Sequence, residues 1–193
     1  MRSIVVAALF AASAAAPALA QDAASERAPF TGARVEGLAG WDRVSANGGH
    51  DDAVTYGLGA GYDFQTGMGL VGIEGEVADS DAKACVGSAT AADPRLCAKA
   101  GRDLYVGGRV GTVVGGKTLL YAKAGYTNAR ASGSLDDGTT VIRGHQNLDG
   151  VRVGAGAEYA VGPNSFVKAE YRYSNYEKGV SRNQVVAGFG FRF

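Results

Sequence analysis

The chain has little of several things that soluble proteins use freely. Its 193 residues hold two cysteines, two histidines, one tryptophan and four prolines. So few prolines, set against 30 glycines and nine tyrosines, exclude a Pro-rich disordered chain and point to all-β structure with tight turns. Neither sign of charge is in excess, since Lys and Arg number 19, as do Asp and Glu. That balance gives no reason to expect a nucleic-acid or anionic-lipid partner. After residue 20 no apolar run is long enough for a spanning helix, which needs about 20 residues. The two cysteines have no histidine nearby, and His50 with Asp51 and Asp52 could bind a metal only with further ligands, so solvated loop polarity is the expectation there and no cofactor is expected.

What is present at the N-terminus is an export signal. Arg2 gives a positive start, Ile4 to Ala16 is apolar or small, and Ala18-Leu19-Ala20 has the small-x-small form of a cleavage site. Residues 1–20 are therefore expected to be a signal peptide. Residues 21–29 are expected to be a short periplasmic lead-in, and residues 30–193 the folded domain. Excising Arg2 leaves a net charge of −1.

The domain alternates. Eight segments carry apolar side chains at every second position: Phe30–Trp41, Val54–Phe64, Leu70–Asp79, Arg102–Val114, Thr118–Asn128, Gly150–Val161, Phe166–Asn175 and Asn183–Phe193. A period of two is the mark of a strand with one apolar face. Short turns at 65–69, 115–117 and 162–165 interleave with long loops at 42–53, 80–101, 129–149 and 176–182. Strands of bilayer-crossing length, even in number, with short and long connections in turn, predict an eight-stranded antiparallel up-and-down transmembrane β-barrel.

The face opposite the apolar one is charged. It holds Arg34, Glu36, Glu74, Glu76, Arg109, Lys123, Arg152, Glu158, Lys168, Glu170 and Arg172, together with Asp63, Asp103 and Arg192. Alternation by itself also fits a soluble lipocalin-type barrel with its apolar face inward. Three features favour the membrane. Aromatics gather near the ends of the apolar face, as in interfacial girdles. Glycines alternate with the long charged side chains, leaving room for them in a narrow interior. Closure removes every sheet edge, which a bilayer requires. The charges are then expected to form a network that largely fills the lumen, because an unpaired interior charge is costly. The alternative is a thin path for ions or small solutes.

Few residues suggest chemistry. Cys85 and Cys97 share one long loop, and in an exported chain such a pair is expected to form a disulfide. His50 and His145 fall in predicted extracellular loops, neither on a strand beside a serine at the membrane rim, so no Ser–His hydrolase site is expected. Glu74 and Glu76 share a face but are expected to pair with arginines and not to act as catalytic carboxylates. GLGAGYDFQTG reads as a strand and not as a phosphate loop. No enzymatic activity is expected.

The opening FTGARVEGLAGWD, the second strand YGLGAGYDF and the terminal AGFGFRF resemble the small outer-membrane β-barrel family, which includes opacity-type porin-family proteins and the OmpA-like membrane domain. The resemblance covers essentially the whole exported chain and is specific for architecture, not activity. It implies the Gram-negative outer membrane, contact with outer-membrane lipid, and recognition of the C-terminal strand by the barrel-assembly machinery, here through Phe189, Phe191 and Phe193. No peptidoglycan-binding domain follows Phe193, so direct cell-wall tethering is not expected. The long loops suit a structural and surface-interaction role, but they name no extracellular ligand.

Overall fold

The computed structural model describes residues 30–46 and 49–193. The expected leader, with Ala18 and Ala20 at its cleavage site, and the lead-in at 21–29 lie outside the described residues. Nine strands run in order: β1 (Gly32–Ala46), β2 (Gly49–Thr66), β3 (Gly69–Ser80), β4 (Lys83–Val86), β5 (Arg95–Val114), β6 (Thr118–Asp136), β7 (Val141–Ala160), β8 (Ser165–Tyr176) and β9 (Val180–Arg192). All pairings are antiparallel. The β3–β5 pairing closes β1, β2, β3, β5, β6, β7, β8 and β9 into a ring of eight. The short β4 lies outside the ring and extends β5 on one edge.

The ring is inside-out relative to a protein folded for water. Among its largest fully buried side chains are Arg34, Arg109, Arg152 and Arg172. Leu58, Ile73, Val106, Val110, Val151 and Val185 are instead 60–70% exposed. In water both halves of that arrangement would be unfavourable; against hydrocarbon the exposed half is solvated and the polar half is sequestered. Aromatics mark the two edges of the apolar band. Trp41, Tyr56, Tyr126, Tyr171 and Tyr173 stand toward one end, and Tyr62, Phe64, Tyr159, Phe189, Phe191 and Phe193 toward the other. Inside the second end, Phe30, Leu70, Val113, Leu119 and Tyr121 pack as a small apolar core. The turn there between β5 and β6 uses Gly115 and Gly116, both at positive φ, which suits glycine in a tight hairpin.

The long connections differ from their sequence expectation. The chain leaves β3 at Ser80 and β8 at Tyr176, as expected, but it does not leave the sheet at 42 or 129. β1 and β2 stay paired to Ala46 and Gly49, and β6 and β7 to Asp136 and Val141. β5 begins at Arg95, and β8 meets β9 through a short 3-10 turn, Glu177–Gly179. Above the membrane both faces of a hairpin meet water, so the apolar alternation fades while backbone pairing continues.

Cys85 and Cys97 sit directly opposite each other on β4 and β5 and are joined by a disulfide, as the sequence indicated. Closing so short a loop contributes about 2–3 kcal/mol in the chain-entropy model. Because β4 pairs only with β5, that gain is local. Reduction is expected to raise amide hydrogen exchange across Lys83–Val86 while leaving the unfolding midpoint of the ring unchanged. A lowered midpoint would place the disulfide within the cooperative barrel.

Candidate functional site

Every second residue of each ring strand points inward, and inward positions carry the charge. Among the described residues eight cations and eight carboxylates are buried there: Arg34, Arg109, Lys123, Arg152, Lys168, Arg172, Arg182 and Arg192, with Glu36, Asp42, Asp63, Glu74, Glu76, Asp103, Glu158 and Glu170. They form three connected tiers along the axis.

In the tier near the short turns, Asp63 is the hub. It accepts from Arg34 Nε (3.0 Å), Arg109 Nε (2.8 Å) and Arg192 Nη1 (2.7 Å). Glu158 accepts from Arg109 Nη1 and Arg192 Nη2. The Arg192 guanidinium lies 5.5 and 5.4 Å from the ring centres of Phe30 and Phe166, and Arg109 lies 5.0 Å from that of Tyr121. The middle tier centres on Lys123, whose Nζ is within 2.9 Å of Glu74, Glu76 and Glu170. Lys168 reaches Glu36 at 2.6 Å, Arg172 reaches Glu170 at 2.6 Å, and Arg34 joins this tier to the first through Glu36 and Glu74. In the third tier Asp103 binds Arg152 and Arg182 and accepts from Thr127 Oγ1 (2.8 Å), while Asp42 binds Arg182 and Ser80 Oγ (2.8 Å).

Glycine makes the crowding feasible. A Cβ at Gly72 would stand 2.1 Å from Asp63 Oδ1, and one at Gly107 would stand 2.1 Å from the Tyr105 hydroxyl. Three buried polar atoms remain without a hydrogen-bond partner or ion pair among the described residues: Glu36 Oε2, Tyr105 OH and Gln184 Oε1.

The sequence-predicted charged residues all occupy this interior. Asp42 and Arg182 join them from segments that lie outside the apolar runs of the sequence. Their signal was parity, since Asp42 continues the series Arg34, Glu36, Leu38, Gly40 and Arg182 precedes Gln184 and Val186. Glu74 and Glu76 lie among cations, not as an isolated carboxylate pair. Phe189, Phe191 and Phe193 all face outward on or just beyond β9.

The histidines require a correction. Both lie on strands, each directly across from a serine: His50 from Ser45, and His145 from Ser132. The paired hairpins carry them there, beyond the segments that alternation marks. Neither Ser–His pair is hydrogen-bonded among the described residues. Nearby Asp52 accepts from Arg43 Nε (2.7 Å) and Nη2 (3.0 Å), which holds its carboxyl below the ordinary value. Among the described residues no group of three or more His, Cys, Asp or Glu could hold a metal.

A closed antiparallel ring, greasy outside and charged within, defines a transmembrane β-barrel of the outer-membrane class. The chain belongs to the family described as "Outer membrane protein beta-barrel domain", which it matches over residues 4–193. It is a protein of the Gram-negative outer membrane. Among solved structures it is similar in fold to Ail, the attachment invasion locus protein of Yersinia pestis, at 19% identity and a TM-score of 0.58, covering 84% of this chain and 99% of Ail. Neisserial surface protein A (NspA) is similar at 20% identity and a TM-score of 0.57, covering 84% of this chain and 98% of NspA. Ail has also been crystallised with the heparin analogue sucrose octasulfate; that structure matches at 18% identity and a TM-score of 0.57, covering 84% of this chain and 99% of that one. No curated protein matches the chain.

Proposed function

We propose that this barrel has a structural and surface-interaction role, with a lumen occluded by its own charged side chains and no enzymatic activity. The observation that carries the reading is the equal count of interior cations and carboxylates, linked by ion pairs across three tiers. A ring of eight strands has an interior about wide enough for side chains to fill, whereas porins with open channels use 16 to 18 strands. The apolar cluster around Phe30 adds a seal at one mouth. The function is then exerted by the hairpins that project above the membrane and by the outer wall. Fold similarity to Ail and NspA, proteins named for attachment, invasion and the cell surface, is consistent with that role. The outward Phe189, Phe191 and Phe193 are the proposed contact for the barrel-assembly machinery.

A narrow ion path is the second reading, favoured by the unpartnered Glu36 Oε2, Tyr105 OH and Gln184 Oε1, which a file of water could serve. Planar-bilayer recording of the refolded chain Gln21–Phe193 separates the two. Occlusion is expected to give a folded but silent barrel. Discrete steps whose ion selectivity changes in Glu158→Gln would overturn it in favour of a pore.

A further inference from the structure

The net charge of the chain conceals a segregation that emerges only once the hairpins are paired. Above the membrane, β4, β5, β6 and β7 continue as a four-stranded sheet with two unlike faces. Directly opposed residues share a face, so each cross-strand row can be followed across all four strands. The row Val86, Leu96, Leu135, Ile142 belongs to the side that continues the lumen. The row Lys83, Lys99, Ser132, His145 belongs to the side that continues the lipid-facing wall, because Ser132 shares the face of Tyr126 and His145 that of Val151. On this outer face stand Lys83, Arg95, Lys99, Arg130 and Arg143, all at least partly exposed. A register shift in β5 between Ala100 and Asp103 puts Lys99 and Arg95 on this side, out of phase with the inward Asp103 and Tyr105.

Three features single the face out. First, none of its five cations is ion-paired among the described residues, whereas every buried charge in the lumen is. Asp136, the carboxylate across from Arg95, instead accepts from the amide of Gly138. Second, Lys83 and Lys99 are direct cross-strand neighbours, a like-charge placement that destabilises a sheet unless an anion lies between them. Third, the face is continuous with the wall already in contact with lipid. Arg130 is four residues above Tyr126 on the same face of β6, about 13 Å along the strand, and therefore beside the headgroups of the outer leaflet.

We propose that this face binds the phosphate-bearing headgroups of the saccharolipid that forms the outer leaflet around the barrel. The cations act as distributed phosphate ligands, with Ser132 and Asn147 as neutral donors among them. The bound headgroups relieve the Lys83–Lys99 repulsion and fix the height and orientation of the extracellular sheet.

The test uses the refolded chain in zwitterionic micelles, titrated with lipopolysaccharide and followed by calorimetry. Each basic residue near an anionic surface contributes about one kcal/mol. Lys83→Gln, Lys99→Gln and Arg143→Gln combined are therefore expected to weaken binding about a hundredfold, with the unfolding temperature of the lipid-free barrel unchanged. Lys178→Gln, at the turn between β8 and β9, is expected to bind as wild type. If the triple variant does not fold, Lys99→Gln and Arg143→Gln are read singly, each at about a fivefold loss. Dephosphorylated lipopolysaccharide is expected to lose binding to wild type. Equal binding by wild type and variants, or none by wild type, overturns the proposal. Equal affinity for a soluble sulfated oligosaccharide overturns the lipid assignment in favour of an extracellular glycan.

Discussion

Asp63→Asn is expected to lower the unfolding free energy by about 3–5 kcal/mol, the usual result of removing one partner from a buried charge cluster. Asp63 is fully buried and receives hydrogen bonds from Arg34, Arg109 and Arg192. An amide in its place leaves three guanidiniums crowded together with Glu158 as the nearest remaining counter-charge for two of them. Against a total stability of about 5–15 kcal/mol, that is a large share. Trp41, the only tryptophan, is 55% exposed on the lipid face and reports folding into vesicles during urea titration. Adding Arg109→Gln to Asp63→Asn should recover part of the loss, because one of the orphaned cations goes with it. A cost below about 1 kcal/mol would mean that the interior charges are hydrated, and it would favour the ion path over the filled lumen.

The second large effect concerns the outer face. Val110→Arg is expected to cost about 2–4 kcal/mol in a bilayer, the penalty for a charge on the lipid side near the midplane of a barrel. Val110 is 60% exposed and sits between Val71 on β3 and Ala122 on β6. Val86→Arg makes the same chemical change at a site 67% exposed on the extracellular sheet. It is expected to change stability by less than about 0.5 kcal/mol. Equal small effects at both sites would mean that water, not hydrocarbon, surrounds the ring. Together the two substitutions distinguish a site surrounded by hydrocarbon from one surrounded by water.

The chain is legible where its two faces meet different environments. Along β8, Lys168, Glu170 and Arg172 alternate with Val167, Ala169, Tyr171 and Tyr173, and that pattern needs no partner strand to be read. The side-chain period of a strand is a local property of the backbone, so the sequence determined the faces, the eight strands of the ring, the short turns and most of the interior charges, but not β4, which lies within the 80–101 segment. The same reasoning failed at the hairpins. His50 and His145 lie beyond the segments that alternation marks, while Asp42 and Arg182 keep the inward parity of β1 and β9 and are buried, but stand just outside the apolar runs that define those strands in the sequence.

Other features were never local. That Lys123 meets Glu74, Glu76 and Glu170 follows from the closure of the ring and the stagger of its strands, which bring β3, β6 and β8 to one level across the lumen. The place of Lys99 and Arg95 on the basic outer face depends on a single register shift in β5, which moves Lys99 to the side opposite that of Asp103. Register is fixed by hydrogen bonds between strands far apart in the chain. Sequence by itself therefore determined which residues turn toward lipid and which toward the lumen. Tertiary structure alone decided which charges meet, and which are left facing the headgroups.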